Sequence, residues 1–201
     1  MPEVVIFDYG VGNLLSLKVA LEKVGLQARI ASTSQQLGDA DAIVLPGVGN
    51  FSAAIEKLNT ARQLITERVK NGIPLLGICL GLQLFFQESE EGPGTGLSLF
   101  EGNTVKLPAT VKVPHMGWNT LRIVKESEIL ENVSNDSYVY FVHSLYPVPL
   151  DRELIRTETD YGKAFASTIA SKNVFGTQFH PEKSGETGLT ILENFAGIVA
   201  K

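Results

Sequence analysis

Short apolar segments alternate with longer amphipathic ones through the first half of this chain, and this alternation restricts the fold most strongly. Leu14, Leu17 and Leu21 recur at helical spacing in a segment that ends at Gly25, and Gln63–Lys70 has the same periodicity. Four apolar runs are predicted strands: Val4–Phe7, Ala28–Ala31, Ala42–Leu45 and Leu75–Ile78. Strands that alternate with helices form an open, mostly parallel sheet with helices on both faces, so the sequence predicts an α/β fold.

The pattern changes after Glu88. A glycine-rich loop, Gly92–Gly96, precedes a stretch of short strand-like runs, and helical spacing returns at Gly188–Ala200. The runs are typical of antiparallel hairpins: Val105–Leu107, Leu121–Ile123, Tyr138–Val142, Phe165–Ala170 and Val174–Phe179. We therefore expect one domain over residues 1–201, with an antiparallel β appendage in its second half.

Composition argues against several functional classes. The 201 residues include 17 Lys and Arg against 22 Asp and Glu, and no basic run could follow a nucleic-acid backbone. No stretch approaches the ~18 consecutive apolar residues of a membrane span. The single cysteine, Cys79, excludes an intrachain disulfide and a multi-thiolate zinc site, and neither a metal nor a cofactor is predicted. The first residues do not resemble a signal peptide, so a cytoplasmic location is expected.

Cys79 lies where the fourth predicted strand meets a helical pattern. Gly77 and Gly81 flank it in the spacing Gly-x-Cys-x-Gly, which is the thiol form of a nucleophile elbow. Such a strained turn needs neighbours without Cβ atoms, and a helix that begins beside the sulfur favours the thiolate. The alternative is a small apolar side chain at a tight turn, since free cysteines are commonly buried. The spacing by itself leaves both open.

A thiol nucleophile needs a base and a group that orients the base. Of the three histidines, only His180 has a carboxylate within two residues, Glu182. In an extended segment, residues two apart point the same way, so Glu182 could hold one ring nitrogen while the other faces Cys79. A surface His-Pro-Glu turn without a catalytic role is the open alternative.

A glycine pair follows the third predicted strand, in Pro46-Gly47-Val48-Gly49. Because strand ends converge at one edge of a parallel sheet, we expect this loop near Cys79. Glycines let backbone N–H groups turn toward a developing negative charge, as an oxyanion hole requires. An ordinary strand-ending turn would have the same composition.

Three motifs in this order, Pro-Gly-Val-Gly, Gly-Ile-Cys-Leu-Gly-Leu-Gln and Phe-His-Pro-Glu, resemble the class I (triad) glutamine amidotransferases over essentially the whole chain. Further segments are similar to the glutaminase subunits of imidazole glycerol phosphate synthases: Asp8–Leu14, Pro46–Gly49, Pro114–Asn119 and Tyr140–Ser144. The resemblance implies a flavodoxin-like fold. It also implies hydrolysis of glutamine to glutamate and ammonia through a glutamyl thioester.

The same resemblance implies roles for individual residues. Cys79 would be the nucleophile, His180 its base and Glu182 the orienting acid. The oxyanion would be bound by the backbone of four residues, Gly47, Val48, Gly49 and Leu80, and the glutamine head group by Gln83, Glu91, Ser144 and Leu145. Leu145 departs from the family, which commonly has Tyr there, so only a backbone role carries over to it.

A partner follows from the resemblance as well. A (β/α)-barrel cyclase subunit would use the ammonia to make imidazole glycerol phosphate and an aminoimidazole carboxamide ribotide in histidine biosynthesis. Asn13, Trp118 and Lys183 are expected to face this partner, and the chain without it is expected to be a poor glutaminase. Simpler roles stay open, because Asn13 could cap the first helix and Trp118 could belong to the core.

Other protein classes share part of this pattern. Sister glutaminases for anthranilate, aminodeoxychorismate or pyridoxal phosphate synthesis have the elbow and His-Pro-Glu but lack the Pro114–Asn119 segment. Cysteine peptidases of related fold carry a histidine directly after the cysteine, where this chain has Leu80. A non-enzymatic α/β binding module would explain the fold but not the position of the sole cysteine in an elbow.

Overall fold

The first half of the chain forms the predicted alternation of strands and helices. A computed structural model describes residues 1–10 and 14–201. In chain order, its first elements are β1 (Glu3–Phe7), α1 (Leu14–Lys23), β2 (Gln27–Ala31), α2 (Ser34–Leu37), β3 (Ala42–Leu45), α3 (Phe51–Leu58), α4 (Arg62–Lys70), β4 (Leu75–Ile78) and α5 (Leu80–Gln83). All four predicted strands are present, and β3 and β4 have the predicted bounds. No helix was predicted where α3 lies.

The second half consists mainly of strands. They are β5 (Glu88–Ser89), β6 (Gly102–Lys106), β7 (His115–Thr120), β8 (Arg122–Ile123), β9 (Tyr138–His143), β10 (Leu145–Pro149), β11 (Ile155–Asp160), β12 (Ala164–Ser171) and β13 (Val174–Thr177). A 3₁₀ turn, Pro181–Lys183, then leads into α6 (Gly185–Val199). Among the residues that the structure describes, no helix is long and apolar enough to cross a membrane.

Eight of the described strands form one sheet, in the order β2-β1-β3-β4-β13-β12-β11-β8. Neighbours from β2 to β13 are parallel, whereas β12, β11 and β8 continue the sheet in antiparallel pairing. Two smaller sheets, β10-β6-β5 and β7-β9, complete the second half. The predicted fold class, an α/β sheet with antiparallel strands in the second half, is confirmed.

The pairing of β13 differs from the expected hairpin. Its partner β12 is antiparallel as predicted, but on its other edge β13 runs parallel to β4, and it ends at Thr177 rather than Phe179. All four of its residues are buried. A short strand whose residues are all buried fits a central position with neighbours of either direction, so the local pattern does not specify the second partner.

The two faces of the large sheet carry separate cores. Val5 and Phe7 of β1 pack with residues of α3, α4 and α5, whereas Val4 and Ile6 pack with residues of α1 and α6. Successive strand side chains point to opposite faces, so a strand covered on both sides needs an apolar residue at every position. This requirement explains the unbroken apolar runs in the sequence. Cys79 belongs to the second core and is 6% exposed.

The order β2-β1-β3-β4 determines where a ligand can bind. Chain direction across the sheet reverses between β1 and β3, and in open α/β sheets a crevice forms at such a point, beyond the carboxyl ends of the strands. The residues that follow β1, β3, β4 and β13 at this edge include Tyr9, Pro46, Cys79 and Gln178. Residues far apart in the sequence therefore meet at one edge of the sheet.

Two buried histidines face each other across the β7–β9 pair. His115 and His143 are register partners and are 3% and 5% exposed. Nδ1 of His143 lies 2.8 Å from the carbonyl oxygen of Leu145, which can only accept, so His143 Nε2 accepts the 3.0 Å bond from His115 Nδ1. Burial lowers the pKa of His115 to about 4. It also lowers the pKa of His143 to about 3, although the hydrogen bond to Leu145 acts to raise that pKa. Both rings are neutral at neutral pH.

We expect the free energy of unfolding to decrease as the pH falls from about 6.5 toward 4. In this window the unfolded chain protonates both histidines, while the folded chain keeps them neutral until their lowered pKa values of about 4 and 3 are reached. Each histidine then contributes up to ~1.4 kcal/mol per pH unit. Urea unfolding at a series of pH values measures this slope.

The variant His115→Asn provides the control for this slope. Its amide Nδ2 takes the position of His115 Nδ1 and keeps a donor toward His143 but does not titrate, so the loss of stability on acidification should become shallower. An unchanged slope would show that other groups cause the pH dependence.

Candidate active site

Cys79 occupies a strained turn between β4 and α5. Its φ of +49° and ψ of −102° lie outside the regions that residues with a Cβ atom commonly adopt. Its N–H donates to the carbonyl oxygen of Thr177 at 2.7 Å, which ties the turn to the end of β13. The turn therefore has the strained backbone that the glycine spacing predicted.

Both glycines beside Cys79 are needed for close packing. A Cβ atom on Gly81 would lie 2.0 Å from the carbonyl oxygen of Leu45, and one on Gly77 would lie 2.5 Å from Cζ of Phe85. The helix after the turn is shorter than the sequence pattern suggested, because α5 has only four residues. It offers Cys79 the N–H groups of a first turn rather than the dipole of a long helix.

Two hydrogen bonds hold the sulfur of Cys79. Nε2 of Gln178 donates to Sγ at 3.4 Å, and Sγ lies 3.7 Å from the carbonyl oxygen of Val142, to which the thiol donates. The sequence predicted neither contact. Gln178 follows β13 directly, and an amide side chain beside the histidine motif is the only sequence signal that could have identified it.

His180 and Glu182 form the predicted pair. Nδ1 of His180 lies 2.8 Å from Oε1 of Glu182, and the side chains are 2% and 7% exposed. The local backbone is not the extended strand expected from the sequence, because Pro181–Lys183 forms a 3₁₀ turn. Nε2 of His180 and Oε2 of Glu182 are buried and have no hydrogen-bond partner within residues 1–10 and 14–201.

The surroundings of His180 favour its charged form. Burial by itself lowers the pKa, but interactions with Cys79 and Glu182 outweigh it and raise the pKa to about 10. Cys79 and Glu182 therefore favour the protonated imidazole, and Glu182 also fixes the orientation of the ring.

A pocket of about 310 Å³ opens beside Cys79. Every residue that the sequence analysis placed in the oxyanion or head-group site lines it: Gly47, Val48, Gly49, Leu80, Gln83, Glu91, Ser144 and Leu145. Pro114, Val142 and His143 also line it and were not predicted as site residues. The geometry thus brings the predicted residues together around one small cavity.

A hydrogen-bond network of buried amide and carbonyl groups includes two residues that line this pocket, Gln83 and Leu145. Nε2 of Gln83 donates to the carbonyl oxygen of Leu145 at 3.0 Å and to Oε1 of Gln178 at 3.2 Å. Leu145 contributes its backbone to this network, and its side chain is buried. A backbone role at this position does not require the Tyr that the family commonly has.

Glu91 connects the pocket to helix α3. Its Oε2 accepts the N–H of Phe51, the first residue of α3, at 2.6 Å. A carboxylate at this place satisfies one of the free N–H groups of the helix and favours its dipole. Glu91 is therefore a capping group as well as a lining residue.

The glycines of the Pro46–Gly49 loop allow it to pack closely beside His180. A Cβ atom on Gly47 would lie 2.7 Å from the carbonyl oxygen of Ile78 and 3.0 Å from Cε1 of His180. Gly49 has a φ of +137°, which favours glycine. The loop is thus fitted to the space between β4 and the histidine.

Tyr9 fixes the start of the same loop. Its buried hydroxyl donates to the carbonyl oxygen of Pro46. Burial raises the pKa of Tyr9 well above its usual value, and the charges of Cys79 and Asp8 act in the same direction. The hydroxyl therefore keeps its proton and remains a donor. Its position after β1 was not predicted to matter.

The structure describes two of the three residues expected at a partner surface. Trp118 is 55% exposed and does not belong to the core. Lys183 is exposed at the end of the 3₁₀ turn. Two further apolar side chains on the same face of the β7–β9 pair are also exposed, Met116 and Tyr138. Asn13, including its expected capping role, lies outside the described residues.

Known proteins match this chain over nearly its full length. The relatives are named imidazole glycerol phosphate synthase subunit HisH. The one from Archaeoglobus fulgidus is 50% identical over 98% of this chain and 100% of its own. The relative from Pyrococcus furiosus is 49% identical over 97% of this chain and 98% of its own. The relative from Aquifex aeolicus is 48% identical over 95% of this chain and 94% of its own.

Solved structures at lower identity share the fold. A structure of a glutamine amidotransferase has a TM-score of 0.76 at 18% identity and covers 98% of this chain and 99% of its own. The structure of PurLQS from Thermotoga maritima has a TM-score of 0.77 at 18% identity and covers 98% of each chain. The family model described as glutamine amidotransferase class-I matches residues 5–198. This chain therefore belongs to the class-I glutamine amidotransferase family, in its group of imidazole glycerol phosphate synthase HisH subunits.

Proposed function

We propose that this chain is a glutaminase subunit that hydrolyses glutamine to glutamate and ammonia and delivers the ammonia to a cyclase subunit in histidine biosynthesis. The observation that carries the proposal is a pocket of about 310 Å³ with Cys79 in its wall and the buried His180–Glu182 pair beside it. The HisH relatives at 48–50% identity support the same conclusion.

The reaction begins from a thiolate and a protonated imidazole. Cys79 attacks the carboxamide carbon of glutamine, and the C–N bond breaks as His180 gives its proton to the leaving nitrogen, which departs as ammonia. Water then attacks the thioester carbon, His180 accepts a proton from it, and the C–S bond breaks to restore the thiolate. The carboxylic acid that is released ionises in solvent. The His180 pKa of about 10 supports a protonated ring in the resting site.

The pocket positions the substrate around the sulfur. N–H groups of the Pro46–Gly49 loop and of Leu80 stabilise the oxyanion. Gln83 and the Ser144–Leu145 backbone hold the amino-acid head group, and Glu91 attracts its ammonium group. The support for these roles is that all of these residues line the cavity that contains Cys79.

The ammonia acceptor in this proposal is a (β/α)-barrel cyclase subunit. It makes imidazole glycerol phosphate and an aminoimidazole carboxamide ribotide, and it contacts Asn13, Trp118 and Lys183. Support comes from the exposed apolar surface of Met116, Trp118 and Tyr138, because such surfaces are typical of protein interfaces.

We further propose that residues 1–201 form one domain, since one sheet contains strands from both halves. A cytoplasmic location fits a reactive free thiol.

Replacing Cys79 by Ala should abolish glutamine-dependent synthesis in the complex with the cyclase. Synthesis driven by added ammonium salts should remain, because the cyclase needs ammonia rather than the thiol. The measurement is product formation from glutamine and from ammonium chloride, side by side. Glutamine hydrolysis at near wild-type rate by the Cys79→Ala protein would refute Cys79 as the nucleophile.

Replacing His180 by Asn should lower glutaminase turnover by ~10²–10⁴, because the variant loses the general acid and base. Glu182→Gln should cost less, since the base remains. It should also move the high-pH limb of the rate profile to lower pH, because Glu182 helps to raise the His180 pKa to about 10. Steady-state rates across pH test both changes. Equal losses from His115 or His143 variants would redirect the assignment.

Gly49→Ala should lower glutaminase activity by ~10²–10³, the value of one oxyanion donor, because its φ of +137° is unfavourable for alanine. We expect glutamate production to increase from the chain alone to the cyclase complex and again when the cyclase binds its nucleotide. The Gly49→Ala variant should lose mainly the stimulated part.

Gly72→Ala is the matched control for Gly49→Ala. Gly72 has a φ of +95° in the loop before β4, and a Cβ atom there would meet no atom within 4 Å. It carries a similar backbone cost at a position remote from the pocket. If both variants lose activity equally, or if the cyclase and its nucleotide leave the rate unchanged, the Pro46–Gly49 loop does not control the glutaminase rate in response to the partner.

A further inference from the structure

We propose that Gln178 is a positioning residue that stabilises the Cys79 thiolate through its side-chain amide. The inference rests on the proposed role of Cys79 as nucleophile and adds a residue to it. Gln178 is fully buried, and its Nε2 lies 3.4 Å from Sγ of Cys79. A hydrogen bond donated to a charged acceptor favours the charged form of that acceptor.

Two contacts fix the place and the orientation of this amide. The backbone N–H of Gln178 donates to the carbonyl oxygen of Ser167 at 2.9 Å, which holds the residue at the end of β13. Its Oε1 accepts from Nε2 of Gln83 at 3.2 Å. Because Oε1 is committed to a donor, the NH₂ group is the end that faces the sulfur.

The second contact of the sulfur acts in the opposite direction. The carbonyl oxygen of Val142, 3.7 Å from Sγ, can only accept, so it pairs with the thiol S–H and offers nothing to a thiolate. Gln178 donates to the sulfur in either state, and its bond strengthens when the sulfur is charged. Between these two neighbours, Gln178 is the one that favours the reactive form.

The amide also joins the nucleophile to the proposed head-group site. Gln83 donates both to Gln178 and to the carbonyl oxygen of Leu145, so one chain of hydrogen bonds runs from Leu145 to the sulfur. Each member is buried, where a lost partner is costly. The network therefore holds Gln178 in the orientation that serves Cys79.

Cysteine alkylation tests this inference directly, because Cys79 is the only cysteine of the chain. We would follow the rate of iodoacetamide alkylation against pH for wild type, Gln178→Met and Gln178→Asn, each in complex with the cyclase. Met keeps the length without a donor, and Asn keeps an amide but withdraws it from the sulfur. The pH of half-maximal alkylation should move upward by about one unit in both variants.

Thr177→Val is the matched control for a buried hydrogen bond lost nearby. Thr177 Oγ1 donates to the carbonyl oxygen of Phe179 at 3.0 Å and is fully buried, but it does not contact the sulfur. This variant should lose a similar amount of stability and keep the wild-type midpoint. Co-elution of each variant with the cyclase in size-exclusion chromatography shows that the complex is assembled, and ammonium-driven synthesis shows that the cyclase is active.

An unchanged midpoint in the Gln178 variants, or an equal shift in Thr177→Val, would overturn the proposal. If Gln178→Met does not fold, Gln178→Asn decides alone. Failure of the underlying function looks different, since glutamine turnover by the wild type would then survive complete alkylation. The alkylation assay needs no glutamine, so the two failures are distinguishable.

Discussion

The parallel pairing of β4 with β13 places the side chains of the candidate active site next to one another. Leu75–Ile78 pairs in register with Val174–Thr177, so the residues that follow the two strands, Cys79 and Gln178, are neighbours although 99 positions separate them. A slip of one residue would turn the side chains of β13 to the opposite faces of the sheet. The register partners Gly77 and Gly176 make such a slip unfavourable, because a Cβ atom on either would lie within 2.5 Å of a side-chain atom of Phe85 or Leu82. The site depends on that register.

Close approach between backbones then gives the site its shape. The turn at Cys79 packs against the end of β3. Gly81 lies so close to Leu45 that there is no room for a Cβ atom on Gly81. The loop after β3 touches β4 and His180 in turn, at Gly47. Polar groups held this firmly need little reorganisation when charge develops, which is the main physical advantage of a preorganised site. Strain at Cys79 is tolerated because packing on all sides determines its conformation.

Features set by local pattern could be predicted from the sequence, and features set by distant contacts could not. β3 and β4 have the predicted bounds because their apolar runs are uninterrupted. The parallel neighbour of β13 is determined by a strand far away in the sequence. His180 keeps an extended backbone just before the 3₁₀ turn that contains Glu182, so their bond was predicted but the turn was not. The role of Gln178 depends on its contact with the sulfur of Cys79, which is distant in the sequence, so it could not be predicted.

The neutral histidine pair bears on how the reaction ends. His143 is part of the pocket wall, and its pKa of about 3 keeps it uncharged at neutral pH. The proposed reaction converts an uncharged carboxamide into a carboxylate, so the product carries one more negative charge than the substrate. A protonated His143 in the wall would attract that charge, whereas the neutral ring only donates its Nδ1–H as a hydrogen bond to the carbonyl oxygen of Leu145. Burial of this pair therefore leaves no positive imidazole at this part of the wall to attract the new carboxylate.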